Sequence, residues 1–215
     1  MELIVGGMYD QIGFLEYSLL RHIGLQPEHN IVDVGCGSGR LAAKLYPYLR
    51  GNYVGTDILP EVVDFARAKY PWRNFQFLAV PDCRIPVDDA SAEYVTFFSV
   101  FTHLVDEDCY RYLREARRVA QSRARIVVTF LDFDEPWHYP IFEDSLASTD
   151  PDRVLNRFLS KSALQKWCEV LGLQLEHVYT GSRPWIPIDH DIIYDDGRRV
   201  AGLAEFGQSV AILRR

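Results

Sequence analysis

The chain has 215 residues, 48% of them apolar and 25% charged, and a formal net charge of −7. That length and mix suit one ordinary soluble domain with a sizeable core, residues 1–215 as a single unit, and the acidic balance argues against a general nucleic-acid binder, which is normally basic. The four cysteines, Cys36, Cys83, Cys109 and Cys168, are scattered with no C-x-x-C or Cys/His spacing, so reduced thiols in the cytoplasm are the simplest reading. The N-terminus lacks the basic n-region and long apolar core of a signal peptide. No stretch approaches the length that spans a bilayer, so no membrane partner is expected.

Residues 10–24 carry an amphipathic helical pattern (Ile12, Leu15, Leu19, Leu20, Ile23) that ends near Gly24. A strand is expected over 30–34, followed by Gly35, Gly37 and Gly39, and then a helix with Leu41, Ala42, Leu45 and Leu49 on one face. A second strand runs from Tyr53 to Asp57. Pro60 sits near the start of the next helix, where its missing N–H costs nothing, and Val62, Val63, Phe65 and Ala66 form that helix's apolar side. A third strand is expected over 75–79. Tyr94 to Phe98 is an almost unbroken apolar run, as expected for a strand covered on both faces. Asp106 is the expected N-cap of a helix over 107–120, with Glu107 and Asp108 favourable to its dipole. Arg111, Arg114, Arg117 and Arg118 fall on that helix among acids, and read as a solvated face. A fifth strand spans Arg125 to Leu131. Ser160 or Ser162 opens a helix that stops at Gly172, and strands near 173–180 and 208–214 close the pattern. Strands alternating with helices, then two late strands, predict an α/β doubly wound, mostly parallel sheet with helices on both faces.

The glycine turn lies between a strand and a helix, where such sheets bind nucleotides, and glycine lets a ligand sit against bare backbone. A dinucleotide fingerprint, G-x-G-x-x-G, needs glycine at position 40, but Arg40 stands there and the third glycine comes one residue early. An acid ending the second strand, Asp57, lies 20 residues after Gly37 and can accept two hydrogen bonds from a ribose diol, a logic that serves dehydrogenases and other nucleotide users alike.

G-x-G-x-G after Asp33 resembles motif I of the class I S-adenosylmethionine-dependent methyltransferases, and Phe98-Ser-Val-Phe-Thr-His-Leu104 resembles their segment after strand 4. The resemblance covers roughly 30–131. It implies a Rossmann-like seven-stranded sheet whose last strand is antiparallel, and S-adenosyl-L-methionine as cofactor. It also implies that Asp82 bonds the adenine amino group, that Cys83 meets the base through its backbone, and that Asp33 grips the amino group of the cofactor. The cofactor set is then Asp33, Gly35, Cys36, Gly37, Gly39, Asp57, Ile58, Asp82, Cys83, Ser99 and His103. Each has a structural alternative: a plain turn for the glycines, a helix cap for Asp57, a loop acid for Asp82, a satisfied structural histidine for His103, a small filler for Cys36.

The implied reaction is methyl transfer to an oxygen or nitrogen of a small-molecule acceptor. A base is needed only for a hydroxyl or ammonium acceptor; His103 is the first candidate and His138 the second. The acceptor site is expected in residues 1–25, 132–160 and 181–207. Residues 132–152 hold seven acids and no Lys or Arg, interleaved with Trp137, His138, Tyr139 and Phe142, and Trp185 follows the sixth strand. Trp137, His138, Tyr139 and Trp185 are therefore candidate substrate contacts in a lid that suits an amine-bearing or aromatic acceptor; a solvated acidic loop with aromatics pinned to the core is the alternative. Asp132, Asp134 and His138 could hold a divalent ion, but their spacing is not diagnostic and no metal is expected. Competing readings are a non-catalytic cofactor-binding partner subunit and an NAD-dependent oxidoreductase, the latter opposed by Arg40 and by the absence of a Tyr-x-x-x-Lys pair. Methylation of bases or glutamine is opposed by the absence of an Asn/Asp-Pro-Pro-Tyr tetrad where Phe98-Ser-Val-Phe101 stands. A monomer or homodimer would serve equally.

Overall fold

A computed structural model describes residues 8–150 and 156–215; residues 1–7 of the expected N-terminal segment, and Asp152 of the acidic one, lie outside the described residues. The elements are α1 (Tyr9–His22), β1 (Ile31–Val34), α2 (Arg40–Leu45), β2 (Tyr53–Asp57), α3 (Pro60–Lys69), β3 (Phe75–Ala79), β4 (Ala92–Phe97), α4 (Asp106–Val119), β5 (Ala120–Phe130), α5 (Tyr139–Ala147), α6 (Lys161–Leu171), β6 (Gln174–Tyr179), four two-residue strands β7 (Ile186–Pro187), β8 (Ile192–Ile193), β9 (Arg199–Val200) and β10 (Leu203–Ala204), and β11 (Ser209–Arg214).

Seven strands form one sheet in the order β3-β2-β1-β4-β5-β11-β6. All pairings among β1 to β5 are parallel, and β11 runs antiparallel to both neighbours. This is the expected Rossmann-like sheet with an antiparallel last strand. Successive residues of β1 point to opposite faces, yet all four are buried, because helices cover both faces. Ile31 joins α1, α2 and α3 in one core, and Val32 joins α4 and α6 in the other. Each fully buried aliphatic side chain there contributes about 1.5–3 kcal/mol relative to exposure.

The chain runs outward from β1 through β2 to β3, then returns to place β4 against the other edge of β1. That reversal opens a crevice beyond the carboxyl ends of β1 and β4. The two β7/β10 and β8/β9 ladders fold over α1, with Ile186, Ile188, Ile192, Tyr194, Ala204 and Phe206 in the same core as Phe14, Leu15 and Leu19. They were not foreseen, because two-residue strands leave no periodic signal.

Several boundaries differ from expectation for local reasons. α4 begins at Asp106 itself, and Val105 occupies the cap position without a side-chain bond; Asp106, Glu107 and Asp108 thus act together on the helix dipole. α2 stops at Leu45, since Pro47 cannot continue the ladder, and Leu49 reaches the core from the following turn. β5 starts five residues early, where Ala120 pairs with Ala92 before a register shift. Ser160, of the two serines considered, caps α6: its hydroxyl accepts from the Ala163 N–H at 3.2 Å, and Gly172 closes the helix with φ 65°.

Candidate active site

A cavity of about 620 Å³ fills the crevice at the reversal point, within the roughly 300–1,000 Å³ common for cofactor and small-molecule sites. The glycine loop forms one wall. Gly35 takes φ 72°, and a Cβ there would lie 2.4 Å from Val100 Cγ2, so bare backbone is required. The loop is tied to β2 by Gly35 N–H and Cys36 N–H donating to the Thr56 carbonyl at 2.7 and 3.0 Å. Asp57 completes the tie: one carboxylate oxygen accepts from Gly37 N–H at 3.0 Å and the other from Leu59 N–H at 3.1 Å. Each oxygen keeps a further lone-pair site, so Asp57 can brace the loop and still accept from a ligand.

Asp33 lies at the floor, where Tyr53 and Thr96 hydroxyls each donate to it at 2.7 Å. Burial raises its carboxyl to about 7 despite those two bonds. Burial likewise pushes the Cys36 thiol well above its ordinary range, so Cys36 lines the wall as a small filler rather than a nucleophile. α1 closes the cavity from above. Glu16, buried in its apolar face, forms an ion pair with Arg40 at the start of α2, and both line the cavity. Burial raises the Glu16 carboxyl against the pull of Arg40.

The far wall comes from the ends of β4 and β11. Phe98 stacks on Phe206 with ring centroids 5.7 Å apart. Ser99 follows in a left-handed conformation, φ 58°, which for a residue other than glycine costs about 1–3 kcal/mol and persists only where neighbours over-determine it. His103 stands exposed at the mouth.

Of the sequence-derived residues, Asp33, Gly35, Cys36, Gly37, Asp57, Ile58, Ser99 and His103 line this cavity. Gly39, Asp82 and Cys83 do not. A Cβ on Gly39 would lie 2.6 Å from the Tyr70 ring, so its bareness serves the packing of α2 on α3. Asp82 turns its carboxylate to Arg84, meeting Arg84 Nε at 2.9 Å. The four expected substrate residues also lie elsewhere. Trp137 and Tyr139 are exposed. Trp185 stacks flat on Tyr179 at 3.5 Å. His138 is buried with both ring nitrogens engaged: Asp132 N–H donates to Nδ1 at 2.8 Å, and Nε2 meets the Gly207 carbonyl at 2.9 Å. It is a clamp, not a base within reach of the cavity. The Asp132 carboxylate pairs with Lys161 at 2.9 Å, and among the described residues no acid, histidine or cysteine cluster is placed to hold a metal.

Sequence reasoning passed over Glu16, Arg40, Phe206 and Gln208. A lone acid among Phe14, Leu15, Leu19 and Leu20 was the available signal for Glu16, since a charge on a buried face needs a partner. In the sequence Arg40 registers only as the absence of a glycine. Nothing distinguishes Gln208 from an ordinary turn residue.

Residues 32–128 match the family described as "Methyltransferase domain". The chain is 29% identical over 151 residues to an O-methyltransferase of Penicillium expansum, covering 61% of this chain and 53% of that one. It is 28% identical over 181 residues to the malonyl-[acyl-carrier protein] O-methyltransferase of Hahella chejuensis, covering 80% and 60% respectively. It thus spans little more than half the length of these relatives. A crystal structure of an S-adenosylmethionine-dependent methyltransferase from Methanosarcina mazei superposes with a TM-score of 0.66 at 16% identity, covering 91% of this chain and 96% of that one. Glycine cradle, strand-end acid and sheet order agree with this segment match: residues 32–128, which hold the glycine loop and Asp57, are similar to the methyltransferase-domain family, and the chain shares the fold of an S-adenosylmethionine-dependent methyltransferase.

Proposed function

We propose that the protein transfers the methyl group of S-adenosylmethionine to an oxygen or nitrogen of a small-molecule acceptor. The observation that carries this reading is the two-sided cavity: glycine cradle, Asp33 and Asp57 on one wall, and Phe98, Ser99, Phe206 and Gln208 on the other. The residues fit the cofactor. Gly35 would clash with any side chain and leaves backbone for close approach. Asp57 keeps acceptor capacity for ribose hydroxyls. Ile58 and Leu59 offer exposed apolar surface for a base, and Asp33, Glu16 and Arg40 offer charges for an amino acid end. When bound, the cofactor supplies an electrophilic methyl on a sulfonium leaving group.

The protein's contribution is positioning. Holding an acceptor in line at near-attack distance can supply roughly 7–11 kcal/mol of barrier reduction. An acid against the sulfur would oppose the loss of positive charge, so the acids belong at the ribose and amino end. His103, at the mouth, takes the proton where the acceptor is a hydroxyl or ammonium. Asp82, Cys83 and Gly39 lie outside the cavity wall and carry no part of this reading. The reading includes a cytoplasmic location, supported by four unpaired cysteines, and a monomer or homodimer that engages neither nucleic acid nor membrane. Among the described residues no helix is long and apolar enough to cross a membrane.

Calorimetric titration tests this directly. S-adenosylhomocysteine should bind and NADH should not; the reverse result would assign the domain to oxidoreduction. Binding with no turnover across a broad panel of phenols, carboxylic acids and amines would favour a catalytically silent partner subunit.

A further inference from the structure

The far wall of the cavity contains a closed ring of hydrogen bonds. Ser99 N–H donates to Thr129 Oγ1 at 2.7 Å. The Thr129 hydroxyl donates to Gln208 Oε1 at 2.6 Å. Gln208 Nε2 donates to Ser99 Oγ at 3.0 Å. The Thr102 hydroxyl holds the Ser99 carbonyl at 2.8 Å. These bonds surround Ser99 in its left-handed conformation, with the Gln208 amide oxygen towards Thr129 and its nitrogen towards Ser99. Thr129 is fully buried in the sheet, while Ser99 and Gln208 line the cavity.

The direction of the ring has a chemical consequence. Every bond in it passes a proton the same way round, ending on Ser99 Oγ as an acceptor. The Ser99 hydroxyl proton and the second hydrogen of Gln208 Nε2 are left uncommitted by the ring, whereas the Gln208 carbonyl is held by buried Thr129. This corner of the cavity therefore offers two uncommitted donors, set against only the second lone pairs of two oxygens already bonded within the ring. An ammonium brought here would face the Gln208 N–H and would have to share oxygens already engaged in the ring, whereas a carbonyl or carboxylate oxygen would meet two free donors. Phe98 and Phe206 beside it give the rest of an acceptor an apolar seat.

We propose that Ser99 and Gln208 form the acceptor-selecting patch of the cavity, locked by Thr129 so that it admits small molecules bearing a carbonyl or carboxylate oxygen and discriminates against amines. This rests on the methyltransferase reading above and narrows its acceptor class. The acids of 132–150, which from sequence pointed to an amine, do not line the cavity.

The test uses the full chain with saturating S-adenosylhomocysteine and three neutral or cationic probes of similar size: 4-hydroxyacetophenone, 4-ethylphenol and tyramine, with dissociation constants read by ligand-observed NMR. The ketone should bind about 3–10-fold tighter than 4-ethylphenol, the worth of a typical net hydrogen bond, and tyramine should bind weakest. Gln208→Leu should abolish the preference while leaving S-adenosylhomocysteine affinity within about twofold, and Gln208→Glu, which puts an acceptor in place of the amide donor, should shift preference towards tyramine. Where Gln208→Leu fails to fold, Gln208→Met, of similar length and without an N–H, gives the same readout. Equal binding of ketone and ethylphenol, a preference that survives in both variants, or no binding by any probe overturns the proposal while the cofactor still binds. Failure of S-adenosylhomocysteine itself to bind the wild type overturns the methyltransferase reading and this one with it.

Discussion

Two late segments, 132–150 and 181–208, are both aromatic and both interrupt the strand–helix pattern, yet only the second reaches the cavity. The difference lies in where their apolar residues find partners. In 181–208, Ile186, Ile188, Ile192, Tyr194 and Phe206 pack on α1, which is itself anchored over the sheet. In 132–150, α5 has no buried residue, and the segment's aromatics cluster with Phe158 beyond it: Phe133 stacks on Phe158 at 4.3 Å, with Phe142 edge-on to both. The first segment still matters to the second. His138 holds the Gly207 carbonyl, and Ser182 donates to buried Glu135 at 2.9 Å. The acidic segment is thus a buttress behind the far wall rather than a lid across it. Aromatic content alone does not separate these roles; burial against a fixed element does.

Matched truncations give the largest test of this contrast. Ile186 is fully buried and Leu146 is 71% exposed. Ile186→Ala should cost about 2–5 kcal/mol in urea unfolding, and Leu146→Ala should stay within about 0.5 kcal/mol. Similar losses at both sites would mean that α5 is covered after all.

The glycine-loop half predicts a pH effect on stability. Asp33 titrates near 3.8 when unfolded and at about 7 when folded. Between these values the unfolded chain binds fewer protons, so stability should fall as pH rises through this window and level off above about 7. The slope should not exceed about 1.4 kcal/mol per pH unit for this group. Glu16, also raised by burial, adds a slope of the same sign. Thermal unfolding from pH 4 to 8 checks this, and Asp33→Asn should flatten most of the decline. An unchanged profile in that variant would assign the slope to Glu16.

The first half of the chain was far more legible than the second. β1, the glycine loop, β2 and α3 each combine a periodic apolar pattern with a local residue that permits only one geometry, such as Gly35 or Pro60. The mostly parallel, doubly wound character of the sheet follows from that pattern, while the order of its strands comes only from the structure. The far wall was hidden because its parts are individually ordinary. Thr129 is a strand residue, Ser99 a loop residue and Gln208 a turn residue; only the antiparallel return of β11 beside β5 brings them together. Glu16 and Arg40 were visible as a misplaced charge and a missing glycine, but pairing two residues 24 apart needs the packing of α1 on α2. Asp82 was located by its place after β3, and its turn towards Arg84 is a matter of side-chain direction that spacing does not encode.

His138 separates buttress from catalyst. His138→Ala leaves the Asp132 N–H and the Gly207 carbonyl without their side-chain partner and should cost about 1–3 kcal/mol. Any loss of turnover should accompany that destabilisation and leave the shape of the pH–rate profile unchanged. A large loss of turnover at full stability, with one limb of the profile gone, would return His138 to the role of base.

Trp137 carries the smallest expected effect and the sharpest test of the contrast. It is 73% exposed, and it is one of the four substrate contacts the sequence suggests. Position now argues otherwise: it sits exposed on the turn before α5 and does not line the cavity. Exposed substitutions away from caps, cores and networks usually change stability by less than about 0.5 kcal/mol. Trp137→Ala should therefore leave both urea unfolding and S-adenosylhomocysteine affinity unchanged, and should leave KM for any acceptor within about twofold. A tenfold rise in KM with cofactor affinity intact would mean that 132–150 swings over the cavity when the acceptor binds, and the two segments would then form one lid.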